Sequence, residues 1–146
     1  MAQPKIQNFE NHAKFVPAFH LVAAPIFIIN IIWSIIHLVR MPSVGAVISV
    51  LLAFAFLILA FTARIFALTV QDRVIRLEMQ LRLQQLLPTA LRPRIPEFTV
   101  GQLVSLRFAS DEELPALAQK VLDEKITDRK AIKKMIRNWQ PDFLRA

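Results

Sequence analysis

Two histidines lie within otherwise apolar sequence, where an imidazole can ligate a metal, a haem or a chlorin pigment. They are His20 and His37, 17 residues apart in one uncharged run. On a single helix that separation is about 25 Å, so the pair cannot clamp one macrocycle. Each would need a second ligand from another chain or would act alone. Both lie toward the ends of the run, where interfacial imidazoles are the simpler expectation. No cofactor is therefore expected. Asn30 and Ser34 lie between them, and Ser49 follows in a second apolar run. An unpaired amide in hydrocarbon costs several kcal/mol, so Asn30 needs a partner. Ser34, four residues on, and Ser49 are the natural ones, at about 0.6–2 kcal/mol per interhelical bond. The same three side chains would line the pore if the chain formed a channel.

Outside those runs the chemistry is sparse. There are no cysteines, which excludes disulfides, thiolate zinc sites and thiol catalysis. No glycine-rich phosphate loop, HExxH or GxSxG motif occurs, and no histidine follows His37. Asp111-Glu112-Glu113 and Asp123-Glu124 are carboxylate clusters. Acids at helix starts favour the macrodipole, and that is the expected role. Neither apolar run holds a carboxylate or a lysine for a charge relay. An enzyme is not expected.

The elements that must hold these residues follow from hydropathy. Hydrophobic residues make up 55% of the 146, above the roughly 45–50% of ordinary soluble chains. They concentrate in two uncharged stretches within 15–39 and 44–68, each long enough as a helix to cross about 30 Å of hydrocarbon. The first starts after a polar arm, 1–14, and is longer than the roughly 7–15 residues of a signal-peptide core, so it reads as a retained span. Residues 40–43, Arg-Met-Pro-Ser, form a tight loop in which Pro42 interrupts the helix and Ser43 can cap the next. Lys5, Lys14, Arg64, Arg73, Arg76 and Arg82 flank the spans on one side, against Arg40 alone on the other. The positive-inside rule then places both termini in the cytoplasm, with Trp33 and His37 near the outer interface.

The second span carries Ala46, Ala53, Ala60 and Ala67, each seven residues from the next, with Ser49 and Ala63 beside them. Small residues let helix backbones approach closely in lipid. A matching stripe on the first span contains His20, Ala23, Ala24, Phe27, Asn30, Ser34 and His37. The two stripes are expected to face each other within the hairpin or across an oligomer, at a left-handed crossing near +20°.

No Pro or Gly interrupts Ala63–Leu87, so the second helix is expected to continue as a cytoplasmic extension over 69–87. There Val70, Val74, Leu77 and Leu81 follow the 4,3,4 spacing of a heptad seam for about two heptads. So short a seam is expected to pack on the chain's own C-terminal residues. Three prolines mark 88–96 as an extended linker. Residues 97–146 then form a small basic helical domain of about three short helices. Thr99/Gln102 and Ser110/Glu113 have capping-box spacing, and Thr127 can cap a third helix carrying Ile132, Met135, Ile136 and Trp139 up to Pro141. Arg129, Lys130, Lys133, Lys134 and Arg137 make that helix basic, in a chain of net charge +7. Anionic lipid headgroups are the expected surface, at about 1 kcal/mol per residue near a membrane, ahead of nucleic acid.

Four segments together resemble a family of bacterial two-span membrane proteins known as domain-of-unknown-function family 6526. They are Asn11-His-Ala-Lys-Phe-Val-Pro-Ala-Phe-His20, Arg64-Ile-Phe-Ala-Leu-Thr-Val-Gln-Asp-Arg73, Leu106-Arg-Phe-Ala-Ser-Asp-Glu-Glu113 and Ile132-Lys-Lys-Met-Ile-Arg-Asn-Trp139. The resemblance implies a bacterial membrane protein and brings no activity or catalytic residue with it. The expectation is thus an all-α membrane protein: a transmembrane hairpin whose second helix extends into the cytoplasm, plus a small C-terminal helical unit. It would serve in the bacterial inner membrane as a non-enzymatic anchor, scaffold or accessory subunit, partnered by the bilayer, other membrane subunits or itself. A small channel or transporter accessory is the first alternative; a tethered nucleic-acid binder and a pigment- or haem-binding subunit follow.

Overall fold

The computed structural model describes residues 8, 9 and 15–142. Most of the polar arm, including Lys5 and Lys14, lies outside the described residues. The described chain is helical, and its one β feature is an isolated antiparallel bridge between Ala109 and Trp139. It divides into two compact units, Lys14–Leu68 and Met1–Ala13 with Thr69–Ala146; helix α2 contributes to both.

The first unit is a helical hairpin. A π-helical turn, Ala18–Ala23, leads into α1, Ala24–Arg40. The wide turn has a local cause: Pro25 lacks an N–H and its ring crowds the carbonyl four residues back, and π geometry displaces that carbonyl. Met41 closes α1 through its N–H to the His37 carbonyl at 2.8 Å. Helix α2 runs Val44–Leu86, and Ser43 Oγ accepts the Ala46 N–H at 3.1 Å as its cap. The π turn with α1, Ala18–Arg40, and helix α2, Val44–Leu86, are each long and apolar enough to cross a membrane. Ser34, Ala46 and Ala53 are buried where α1 and α2 meet. Ala23, Ala24 and Ala60 are half-buried. At the open end of the hairpin, Phe61 meets Phe19 edge-to-face at 5.9 Å and Arg64 lies 5.7 Å over the Phe19 ring.

The second unit wraps short helices around the C-terminal half of α2. Ile75, Met79, Leu83 and Leu87 recur every fourth residue and are buried against Leu103, Leu106, Leu114, Val121 and Ile132. The helix thus packs on its own C-terminal residues, but not through the heptad seam: Val70, Val74, Leu77 and Leu81 are all exposed. The domain selected a face on the far side of α2.

Residues 88–96 do not form an extended linker. Leu91 N–H bonds the Pro88 carbonyl, and a 3-10 helix, Arg92–Glu97, follows with Ile95 buried. A 3-10 turn suits proline at its start, where no N–H is required. Helix α3, Val100–Leu106, opens on a complete Thr99/Gln102 capping box. Helix α4, Leu114–Asp123, has no side-chain cap, and the Ser110/Glu113 box does not form. The cap of α5, Arg129–Met135, is Asp128 rather than Thr127; its carboxylate accepts the Lys130 and Ala131 N–H groups.

Helix α5 ends before Ile136 and does not run to Pro141. The Glu113 carboxylate takes the Arg137 and Asn138 N–H groups at 3.1 Å each, and Asn138 accepts from Ser110 N–H at 3.0 Å. Those tertiary bonds satisfy backbone that a longer helix would have used. Trp139 is left to stack on buried Phe108, centroids 4.6 Å apart.

Candidate functional site

The polar groups of the hairpin collect in one cleft of about 400 Å³, lined by Asn30, Trp33, Ser34, His37, Ser49, Leu52, Ala53 and Phe56. Helical spacing explains the set. Asn30, Ser34 and His37 stand at i, i+4 and i+7 on α1, and Ser49, Ala53 and Phe56 repeat that pattern on α2. Ser34 and Ala53 are the buried residues of that lining, one from each helix. A second cavity of about 190 Å³ shares Trp33 and His37 and continues to Arg40 and Met41.

Within the cleft, Ser49 does not pair with Asn30: its hydroxyl donates to the Gly45 carbonyl of its own helix at 2.9 Å. Asn30 is exposed, and its side-chain amide makes no hydrogen bond with another described residue. The expected interhelical bond is thus not formed. The cleft presents an amide, an imidazole and an indole with hydroxyls beside them, and no carboxylate. It can exchange hydrogen bonds with water, a polar ligand or another helix; His37 is its one titratable side chain.

The histidines are not brought together. His20 lies in the π turn, stacked on Phe15 at 4.7 Å and edge-on to Phe19 at 5.3 Å, with Nδ1 engaged by the Val16 backbone. No cluster of three metal-ligating side chains occurs among the described residues. Of the expected small-residue contacts, Ala63 and Ala67 stay exposed on α2.

The other polar concentration lies in the second unit, on a residue whose role sequence reasoning missed. Arg82 inserts its guanidinium between α2 and the turn after α3. It donates to Asp111 Oδ1 (2.8 Å), the Arg107 and Ala109 carbonyls (3.2 and 2.6 Å) and Gln140 Oε1 (2.7 Å). An arginine counted only as a topology signal is therefore also a structural clasp. The one hint in the sequence is its place between Leu81 and Leu83, beside the core stripe.

The carboxylate clusters work likewise. Asp111 pairs with Arg82. Asp123 closes the C-terminal end of α4, where the dipole disfavours an acid, and Arg94 holds it at 2.7 Å. Donation from Arg94 keeps the Asp123 carboxyl below the usual carboxylate range, and Asp123 in turn raises Arg94. The helix-start role assigned to the Asp123 cluster does not hold.

The basic residues divide. Arg129, Lys130, Lys134 and Arg137 are exposed, whereas Lys133 is half-buried with its ammonium 5.4 Å over the Phe108 ring. Arg137 lies beyond the end of α5. The Arg129 guanidinium covers Gly101 so closely that a Cβ there would meet its Nε at 2.8 Å.

The sequence model described as Family of unknown function (DUF6526) matches residues 1–146. The chain belongs to the DUF6526 family. No curated protein and no solved structure matches it. For this DUF6526 member the chemistry therefore rests on the hairpin cleft, the arginine clasp and the cationic face around α5.

Proposed function

We propose that this DUF6526 protein is a non-enzymatic scaffold or accessory subunit of a membrane complex, anchored in the bacterial inner membrane by its hairpin with both termini cytoplasmic. The observation that carries the reading is where the apolar surface lies. In the most apolar stretches of the two long helices only 6% and 11% is buried, whereas the core helix of a water-soluble fold would be mostly covered. Side chains such as Ile29, Trp33, Leu51 and Ile58 are each more than half exposed. So much outward-facing hydrocarbon is stable in lipid and a liability in water. The exposed cations around α5 suit anionic headgroups or an acidic partner. Resistance of the protein to alkaline carbonate extraction, with a stoichiometric protein co-eluting in mild detergent, is the expected result. Release by carbonate would end the membrane reading; integral behaviour without any partner would end the subunit reading.

A second reading is favoured by the cleft, which places Asn30, Ser34, His37 and Ser49 together. In a small oligomeric channel or transporter accessory these groups would carry water or a polar solute. Conductance in reconstituted vesicles that Asn30→Leu abolishes supports it, and silent vesicles count against it.

A further inference from the structure

The C-terminal domain leaves the heptad seam of α2 uncovered. Val70, Val74, Leu77 and Leu81 are 60, 47, 62 and 62% exposed, in a segment that otherwise belongs to a packed domain. Ile75, Met79 and Leu83, the face buried in that domain, point about 170° away at 3.6 residues per turn. A partner on the seam therefore meets α2 on the side away from the domain core.

The spacing names the kind of partner. With Val74 and Leu81 at heptad position a, Val70 and Leu77 stand at d; the central pair, Val74 at a with Leu77 at d, is the combination that favours two parallel strands, and the flanking Val70 and Leu81 stand in the reverse places. The same register continues backward without a break: Ala46, Ala53, Ala60 and Ala67 occupy a. Helix α1 buries Ala46 and Ala53, but Ala67, like Val74 and Leu81, is uncovered. A straight helix drifts about 20° per heptad, so a strict seven-residue repeat kept over this length is the signature of a supercoiled contact.

Charge settles the orientation. Arg73 is at g and Glu78 at e, five residues on, and both are exposed. In a parallel pair, position g of one strand meets e of the other, five residues ahead. Arg73 of each copy therefore faces Glu78 of the other, twice per dimer. In an antiparallel pair g meets g and that match is lost. Beside the seam, Glu78 lines a groove of about 300 Å³ together with Val74 and Asp142, the last ion-paired with Arg107 at 3.2 Å.

We propose that DUF6526 protein self-associates as a parallel two-stranded coiled coil through Val70, Val74, Leu77 and Leu81, with Arg73 of each copy on Glu78 of the other. The inference deepens the scaffold reading by naming its first partner, and rests on it for stability. Two heptads are too few to hold alone in water. Two hairpins held in one bilayer present the seams parallel and at high effective concentration.

The test exploits a chain without cysteine. Leu77→Cys and Arg76→Cys are each introduced into the full chain in native membranes and oxidised mildly. Leu77→Cys should convert to a species of twice 16.7 kDa, and Arg76→Cys, on another face, should stay single. Arg73→Glu in the Leu77→Cys chain should abolish the doubled species, and adding Glu78→Arg should restore it. All of these positions are exposed, so the domain core is unaffected. A single species for Leu77→Cys, or equal doubling at residue 76, overturns the proposal and leaves the seam to lipid or a different protein. Carbonate extraction and co-elution are scored separately, so failure of the coil is distinct from failure of the scaffold.

Discussion

Truncating Arg82 to alanine would strip donors from four acceptors, among them the carbonyl of fully buried Ala109. The side chain is 20% exposed, so part of that loss is replaced by water. A cost of about 2–4 kcal/mol is expected for Arg82→Ala, from leaving buried acceptors unpaired. Arg82→Lys should recover less than half of it, since an ammonium cannot reproduce the fork. Thermal unfolding of the full chain in detergent, followed by circular dichroism, checks both; equal stability of the lysine variant and wild type would remove the clasp. Asp123 adds a pH signature. Its carboxyl titrates lower in the folded state than in the unfolded one because Arg94 donates to it. The unfolded state therefore binds more protons in that window, and stability falls as pH drops below the ordinary carboxylate range. Wild type should lose more of its unfolding midpoint between neutral pH and pH about 3 than Asp123→Asn does. Parallel curves would show the pair contributes nothing.

The elements divide by how locally they are determined. The two apolar helices and the Thr99/Gln102 cap were legible because hydropathy runs and capping spacing are properties of adjacent residues. The apolar stripe of α4 was legible for the same reason: Leu114, Leu117, Ala118, Val121 and Leu122 are all buried. The misread ends have distant causes. Glu113 leaves its own helix for the Arg137 and Asn138 amides, and α5 stops short because those amides are taken. The three prolines gave a correct break, but not the 3-10 turn that Ile95 anchors in a core assembled from elsewhere. In the hairpin, small-residue patterning identified Ala46, Ala53 and Ser34, yet Ala67 follows the same seven-residue spacing, with Ala63 beside it, and both stay exposed. Periodicity identifies a face without telling how far the neighbouring helix covers it. Ala53, 1% exposed, is thus the sensitive position. Ala53→Leu should destabilise the hairpin by about 1–3 kcal/mol through overpacking. Ala67→Leu, at an exposed site, should leave it within about 0.5 kcal/mol. Unfolding of the two variants in detergent compares them directly; indifference at Ala53 would mean the helices do not approach closely there.

At the scale of the whole molecule, the functional reading turns on sidedness. The loop side carries Arg40 alone, while Arg64, Arg73 and Arg76 follow the second span. Because Arg82 is committed to Asp111 and two backbone carbonyls, three arginines remain to set the orientation from this flank. With Lys5 and Lys14 of the arm, five against one still favours retention of that side in the cytoplasm, since the rule counts Lys and Arg near short loops. Met41→Cys, at the exposed end of α1, should then react with a membrane-impermeant maleimide in intact spheroplasts. Glu112→Cys, exposed in the C-terminal domain, should react only after the membrane is opened. The reverse pattern would put the domain and the cationic residues around α5 outside, away from cytoplasmic partners, and so would remove the scaffold's place of action. Labelling of both in intact cells would mean that the hairpin does not span. Ser43→Arg supplies the energetic control: a second loop cation narrows the bias to five against two, with Lys5 and Lys14 counted, and a minor inverted population should appear if these few charges decide the topology.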